Sequence, residues 1–210
     1  MDNAGFTARG WARITDIETG EVLLDDKENA IHLGNLSAAC VMALCSDDKG
    51  HIRYMAFGNG GTRITSNGDI LYRTPNVSNI RKATDSLYNE LFKKEIIFDG
   101  DNEANPIFSN STYSDLKVLV TLTEVEAGLT QQVFDRADAL NKDTIDQTLS
   151  SRDQDAVFDE LALYVGPPFI AGPLSDSSEA LMITHLIFNP IQKSANRGLQ
   201  IEYTIRIQLT

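Results

Sequence analysis

The clearest pattern along the chain is a strict alternation of apolar and polar residues near its end. Apolar side chains occupy every odd position from Leu199 to Leu209, with polar side chains between them. A period of two predicts a β-strand with one buried face, because successive side chains of a strand point to opposite sides. The run from Leu181 to Asn189 is mostly apolar and predicts a second buried strand, with Pro190 as its end. We expect these two strands to be antiparallel neighbours.

Shorter runs of the same kinds predict the remaining strands. Near the N-terminus, Glu18, Thr19 and Gly20 separate two alternating runs, which is typical of a hairpin turn. Further strands are predicted at residues 51–57, 69–73, 116–126 and 158–165. About seven or eight short strands separated by turn signals favour a mainly β fold, an antiparallel β-sandwich of jelly-roll-like type. We expect one β-rich domain spanning residues 1–210.

Helical signals are few. Apolar residues recur at helical spacing between Leu36 and Leu44, and this predicts one short helix with Asn35 as its N-cap. The stretch from Asn79 to Glu95 is compatible with both a helix and a strand, since helix formers in its middle are followed by alternation. Polar or Pro/Gly/Ser-rich composition at residues 150–155 and 166–178 predicts long loops.

Charge and cysteine content narrow the possible classes of protein. The chain of 210 residues has 18 basic and 30 acidic residues, for a net charge of −12. Nucleic-acid binders neutralise phosphates with Lys and Arg, so we expect no direct nucleic-acid partner. No leader or membrane-spanning run is evident, and a soluble cytoplasmic product is expected. Cys40 and Cys45 are about 140° apart on the predicted helix and are expected to remain unpaired fillers.

The glycine-rich segment from Gly58 to Thr62 is the first candidate for chemistry. Glycine-rich turns can direct backbone N–H groups at a phosphate. This segment, however, lacks the Lys-Ser/Thr of a Walker A loop and does not follow the GxGxxG pattern of dinucleotide folds. We therefore expect a structural turn and no cofactor.

Titratable residues give no catalytic pattern. Each of the three histidines could act as a general base, but no GxSxG nucleophile is present to pair with one, so we expect structural histidines. One acidic run resembles half of a calcium loop, with Ala104 and Asn110 where Gly and Glu are required. A second acidic cluster is interpreted as a loop that leads into a strand. The sequence thus predicts no enzyme, no metal site and no small-molecule substrate. The residues considered were His32, His51 and His185; Asp99, Asp101 and Glu103; and Asp153, Asp155, Asp159 and Glu160.

The candidate interface lies in the loop at residues 166–178. Its prolines favour an extended chain, and its apolar centre is Phe169, Ile170 and Ala171. These three residues are predicted to anchor the loop in a pocket of a neighbouring subunit. The alternative is that Phe169 and Ile170 pack beneath their own sheet.

Six segments along the chain together form a recognisable pattern. They are ETGEV at 18–22, NAIHLGN at 29–35, MAFGNGGT at 55–62, TPN at 74–76, HLIFNPIQKS at 185–194 and YTIRIQ at 203–208. In this order they resemble a family of virion structural proteins of contractile-tailed bacteriophages. The pair formed by AFGNGG and the terminal YTIRIQ is the most specific part of this resemblance, which extends over nearly the whole chain except residues 80–95 and 141–155.

The resemblance implies a structural subunit of the virion, assembled in the host cytoplasm and without catalytic residues. The acidic charge favours a neck, collar or head-to-tail position, since it would repel DNA passing through the channel. We expect a ring formed by homo-oligomeric contacts and by contacts with connector, neck and tail proteins. A capsid decoration protein and a baseplate component are alternatives in the same class. A carbohydrate-binding or hydrolytic adsorption module is an alternative of another class.

Overall fold

A computed structural model describes residues 5–96, 107–109, 112–124, 126, 156–167, 180–194 and 196–209. Thirteen strands, one α-helix and one short 3-10 helix occur in these ranges. The strands are β1 (Phe6–Asp16), β2 (Val22–Glu28), β3 (Ala30–Ile31), β4 (Ile52–Gly58), β5 (Thr62–Ile64), β6 (Ile70–Tyr72), β7 (Glu90–Glu95), β8 (Ile107–Ser109), β9 (Tyr113–Leu122), β10 (Ala156–Val165), β11 (Leu181–Met182), β12 (Thr184–Lys193) and β13 (Leu199–Leu209). The helices are α1 (Leu33–Leu44) and the 3-10 turn Asp48–Gly50.

Two antiparallel sheets form the predicted β-sandwich. The first sheet has the strand order β2-β1-β13-β9-β8, and the second has the order β3-β12-β10-β4-β7, with β11 beside β10. The pairings are nested, since β1 pairs with β13 and β3 pairs with β12, which gives the fold its jelly-roll-like character. One apolar core between the sheets includes Ile201 and Tyr203 from the first sheet and Phe57 and Leu163 from the second.

The predicted terminal strand is confirmed as β13, in the middle of the first sheet. Its residues Leu199, Ile201, Tyr203 and Ile205 are buried in the core, as the alternation predicts. Ile207 departs from the pattern with 36% exposure. The predicted N-terminal hairpin is also present between β1 and β2, where Gly20 has a positive φ of 71°. At its start, bonds from the Thr19 N–H and from Arg197 hold the pKa of Asp16 at about 2.

The expectation that the last two long strands are neighbours is wrong. β12 pairs with β10 and β3, whereas β13 pairs with β1 and β9, so the chain crosses from one sheet to the other between them. Pro190 does not end a strand either. It lies inside β12, where the register with β10 shifts between Phe158 and Glu160. A bulge accommodates proline because the lost N–H has no ladder bond to make.

The predicted helix is present, but its N-cap is His32 rather than Asn35. The Nδ1 atom of His32 accepts a hydrogen bond from the Asn35 N–H at 3.1 Å. Asn35 instead lies in the first turn, fully buried, and its side chain bonds to Lys82 and Met182. Leu36 and Ala39 pack into the core.

The ambiguous stretch contains a strand at its end and no helix. β7 occupies Glu90–Glu95, and residues 73–89 run without regular structure across the second sheet. We call residues 73–89 the strap. Before the strap, β5 and β6 pair with each other as a separate two-stranded sheet. We call residues 62–72 the arm hairpin.

Candidate functional site: a buried carboxylate anchor

Two adjacent carboxylates lie in the middle of strand β10. Asp159 and Glu160 are buried, although each would be ionised in water. Phe158 and Leu161 on either side both belong to the core. This spacing of three interrupts the alternation of the strand, at the position where its register with β12 shifts. In a regular strand one of the two residues between Phe158 and Leu161 would point into the core. Here both of these residues are acidic, and neither belongs to the apolar core.

Glu160 binds the glycine-rich loop and the end of the strap together. Its Oε1 accepts hydrogen bonds from the N–H groups of Gly60 at 3.0 Å and Asn89 at 2.8 Å. Its Oε2 accepts one from the Tyr88 N–H at 3.0 Å and contacts His185 Nε2 at 3.0 Å. Four donors thus converge on one carboxylate, which joins three segments that are distant in sequence.

Asp159 holds the base of the arm hairpin. Its Oδ1 accepts from the Gly61 N–H at 2.8 Å, and its Oδ2 accepts from the Thr62 N–H at 2.7 Å. The Thr62 hydroxyl also donates to Oδ2. These bonds anchor the first residue of β5 to the second sheet.

Two buried histidines bind the strap in the same way. His185 Nδ1 accepts from the Asn76 N–H at 2.8 Å, so the ring proton lies on Nε2 and is donated to Glu160. His32 Nδ1 accepts from Asn35, and His32 Nε2 lies 3.0 Å from Asp85 Oδ2. Each ring therefore joins one backbone N–H to one carboxylate.

The pKa values of the two carboxyl groups shift in opposite directions. Burial raises the pKa of Glu160, but the bonds from His185, Asn89 and Tyr88 outweigh it, so that the pKa lies below its usual value. For Asp159 burial dominates, and the bonds from Thr62 and Gly61 offset only part of it, so its pKa is raised. The neighbouring Glu160 charge raises the pKa of Asp159 further.

The glycines of the loop permit its close approach to the strap and the sheet. A Cβ atom at Gly58 would lie 2.5 Å from the Asn89 carbonyl oxygen, and one at Gly60 would lie 2.6 Å from the Tyr88 Cβ. None of the three loop glycines has a positive φ. Packing, rather than backbone conformation, therefore requires glycine here. The loop N–H groups that a phosphate would need are donated to Asp159 and Glu160.

The arrangement can fix the backbone, but it presents no reactive group to solvent. A general base needs a lone pair within reach of its substrate. The oxygens of Glu160 already accept four hydrogen bonds, and His185 is fully buried. Among the described residues, no group of three His, Cys, Asp or Glu side chains could hold a metal ion.

Other residues singled out by the sequence lie elsewhere. Phe169, Ile170 and Ala171, the candidate interface, are outside the described residues, and so are the half calcium loop at 99–103 and Asp153 and Asp155. His51 is exposed near Asp48, with Nδ1 and Oδ1 3.9 Å apart. Cys40 and Cys45 are free thiols.

The strand predicted at residues 158–165 is confirmed as β10, and it contains Asp159 and Glu160, but the burial of both acids was not expected from the sequence. A signal for this was available in the sequence, since two adjacent acids interrupt the otherwise apolar run from Ala156 to Val165. Buried acids need donors, and the glycine-rich loop could have been proposed as their source. The pairing of Glu160 with His185 and the strap had no local signal, because it joins residues 25 to 72 positions apart.

Fold and site together define the described part of the chain as a β-sandwich whose outer segments are fixed by buried carboxylates and histidines. None of its helices is long and apolar enough to cross a membrane. Comparisons with protein-family models, with curated proteins and with solved structures find no match to this chain.

Proposed function

We propose that this chain is a structural subunit of a contractile-tailed bacteriophage virion, located in the neck, collar or head-to-tail region. In this proposal it forms a ring through contacts with its own copies and with connector, neck and tail proteins. It has no catalytic activity, cofactor or small-molecule substrate, and it makes no direct contact with nucleic acid. The resemblance of the sequence to virion proteins is the origin of the proposal.

The observation that carries the proposal is the bonding of the buried polar groups. Asp159, Glu160, His32 and His185 all bind other parts of the same chain. Such groups are typical of catalytic sites when they are exposed in a cleft, and here they are buried. Their arrangement suits a protein whose task is to hold loops in fixed positions.

The exposed surface also favours an assembly role. Apolar side chains are exposed on the arm hairpin, and Leu44 at the end of α1 is 87% exposed. Apolar residues clustered on a surface are typical of interaction sites. A subunit that assembles with neighbours needs such surfaces and needs no active-site cleft.

The decisive experiment measures copy number in particles produced from the genome that encodes this chain. Quantitative mass spectrometry of purified particles should find about six or twelve copies, as expected for an axial ring. Hundreds of copies would indicate capsid decoration instead, and absence of the chain from particles would refute the proposal. Immunogold labelling at the head-to-tail junction provides the positional check.

A further inference from the structure

The chain contains two Asn-Gly dipeptides, and both lie among the described residues. Asn59-Gly60 belongs to the glycine-rich loop, and Asn67-Gly68 lies in the turn of the arm hairpin. Asn-Gly is the least shielded setting for an asparagine amide, because glycine has no Cβ atom beside its backbone nitrogen. The fold surrounds the two dipeptides differently, and this difference decides which glycine nitrogen can reach the carbonyl carbon of the asparagine side chain.

The glycine-rich loop holds Asn59-Gly60 on both sides. The Gly60 N–H donates to Glu160 Oε1 at 3.0 Å, and the Asn59 side-chain oxygen accepts from the Asn89 side-chain amide. The Asn59 N–H also donates to the Asn89 carbonyl oxygen at 3.1 Å. A Cβ atom at Gly60 would lie 2.6 Å from the Tyr88 Cβ, so the strap packs directly against this glycine. Rotation of the Asn59 side chain toward the Gly60 nitrogen therefore requires release of the strap.

The turn of the arm hairpin leaves Asn67-Gly68 open to solvent. Both residues are exposed, and a Cβ atom at Gly68 would meet nothing within 4 Å. The Gly68 N–H donates to the Thr65 carbonyl oxygen at 3.0 Å, and within the described part of the chain no hydrogen bond holds the Asn67 side chain. One exposed hydrogen bond thus restrains the glycine nitrogen, in a two-stranded sheet that pairs with no other strand. Such a hairpin opens locally without unfolding of the sandwich.

We propose that Asn67 is a site of spontaneous deamidation and that the fold protects Asn59 from the same reaction. The Gly68 N–H gives its proton to hydroxide, and its nitrogen then attacks Cγ of Asn67. A C–N bond forms, and the side-chain nitrogen takes a proton from water and leaves as ammonia. Water opens the resulting succinimide ring at either carbonyl carbon, which gives an aspartyl or an isoaspartyl linkage. The net reaction converts an amide and water into a carboxyl group and ammonia.

The reaction changes the turn of the hairpin and leaves its base intact. A new carboxylate arises beside Asp69, and an isoaspartyl linkage adds a methylene group to the backbone of the turn. The Thr65 N–H donates to the Asp69 carbonyl oxygen at 2.9 Å, so the longer backbone disturbs the bond that closes this turn. The bonds from Asp159 to Thr62 are at the other end of the hairpin. Beyond the proposed function, the inference gives the chain a site at which its surface charge changes with time.

Peptide mapping of the purified full chain tests the inference, because trypsin separates the two sites. Cleavage after Arg53, Arg63 and Arg73 places Asn59 in the peptide 54–63 and Asn67 in the peptide 64–73. After incubation of the folded chain at mildly alkaline pH, mass spectrometry should find deamidation of peptide 64–73 at least about tenfold faster than that of peptide 54–63. In concentrated urea the two rates should become similar, since neither dipeptide is then protected. N67Q should abolish the mass gain of peptide 64–73.

E160A tests the origin of the protection. It removes the acceptor of the Gly60 N–H, so deamidation of Asn59 should accelerate at least about tenfold, while that of Asn67 stays unchanged. The matched control is E202A on the first sheet, which should change neither rate. Urea denaturation verifies that each variant is folded. If E160A is not, the folded and denatured rates of the unmodified chain decide alone.

Three results would overturn the inference. The first is an equal rate at the two sites of the folded chain, or a faster rate at Asn59. The second is an Asn67 that stays intact in the folded chain while it reacts in urea. The third is an unchanged rate at Asn59 in folded E160A, which would show that the carboxylate of Glu160 does not protect the loop.

Discussion

The outer faces of the two sheets differ in how far their polar side chains are exposed to solvent. In the first sheet the outer face carries paired charges at the surface, such as Lys117 with Glu202 at 2.8 Å. In the second sheet the outer face is covered by the strap, and its polar residues Glu160 and His185 are buried. A second apolar cluster, which includes Tyr164 and Met182, lies apart from the main core. Polar residues of the same types therefore form exposed ion pairs on the first sheet and bind the strap to the second sheet.

The difference teaches that burial determines what a polar side chain contributes. An exposed ion pair contributes about 0–1 kcal/mol, because water competes for both partners. Removal of a buried hydrogen-bond acceptor leaves its donors unsatisfied, and each unsatisfied group lowers the free energy of unfolding by about 1–3 kcal/mol. Comparing equivalent substitutions on the two sheets tests this interpretation of the fold.

The largest effect is expected for E160A. Removal of this carboxylate leaves the N–H groups of Gly60, Tyr88 and Asn89 without their acceptor. We expect the free energy of unfolding to fall by about 3–5 kcal/mol, measured by urea denaturation. The matched control is E202A on the first sheet, which should cost less than about 1 kcal/mol. Equal losses from the two variants would remove the distinction between the sheets.

Truncations on the inner faces should, by contrast, affect both sheets alike. Ile201 on β13 and Leu163 on β10 are both completely buried in the main core. I201A and L163A should each lower the free energy of unfolding by about 3 kcal/mol through lost burial and cavity formation. I207A, at a position that is 36% exposed, is the control with a loss below about 1 kcal/mol. A large asymmetry between the first two variants would show that the sheets do not share one core.

A smaller and local effect is expected for H185F. The phenylalanine ring retains the volume of the site but cannot accept the Asn76 N–H or donate to Glu160. Hydrogen exchange at Asn76, Tyr88 and Asn89 should accelerate by about tenfold or more, corresponding to about 1–2 kcal/mol of lost protection. K117A on the first sheet should leave these amides unchanged. Unaltered exchange in H185F would exclude an anchoring role for the histidine.

The smallest effect is expected in how the free energy of unfolding depends on pH. Because the pKa of Glu160 is lowered in the folded state, its contribution is present above its ordinary value of 4.5 and is lost as the pH falls through the lower folded value. The contribution of Asp159 to stability depends on pH in the opposite direction, because its pKa is raised in the folded state. We expect the stability difference between the unmodified chain and E160Q to be largest at neutral pH and to shrink below pH 4.5. A difference independent of pH would mean that Glu160 is not ionised in the folded protein.

Local sequence patterns predicted the helix and the strands better than they predicted how these elements pair and pack. The alternation in β13 and the hairpin at Gly20 depend on neighbouring residues, and both are confirmed. The sheet assignment of β12 failed because an apolar run indicates burial without specifying a partner strand. The N-cap was misplaced by three residues, since histidine is an uncommon cap and Asn35 is a common one. The local pattern of the strap was compatible with both a helix and a strand, and neither formed in it because side chains on other elements hold it.

By itself, the sequence determined that this protein is a mainly β, acidic chain with one short helix, because periodicity and charge are properties of neighbouring residues and of composition. Only the tertiary structure decided that Asp159 and Glu160 are buried anchors and that the glycine-rich loop binds them. The physical reason is that a buried carboxylate is stable only where donors converge on it, and these donors come from segments about 70 to 100 residues away. Asp159 fixes the base of the arm hairpin in the same way, through bonds from Gly61 and Thr62.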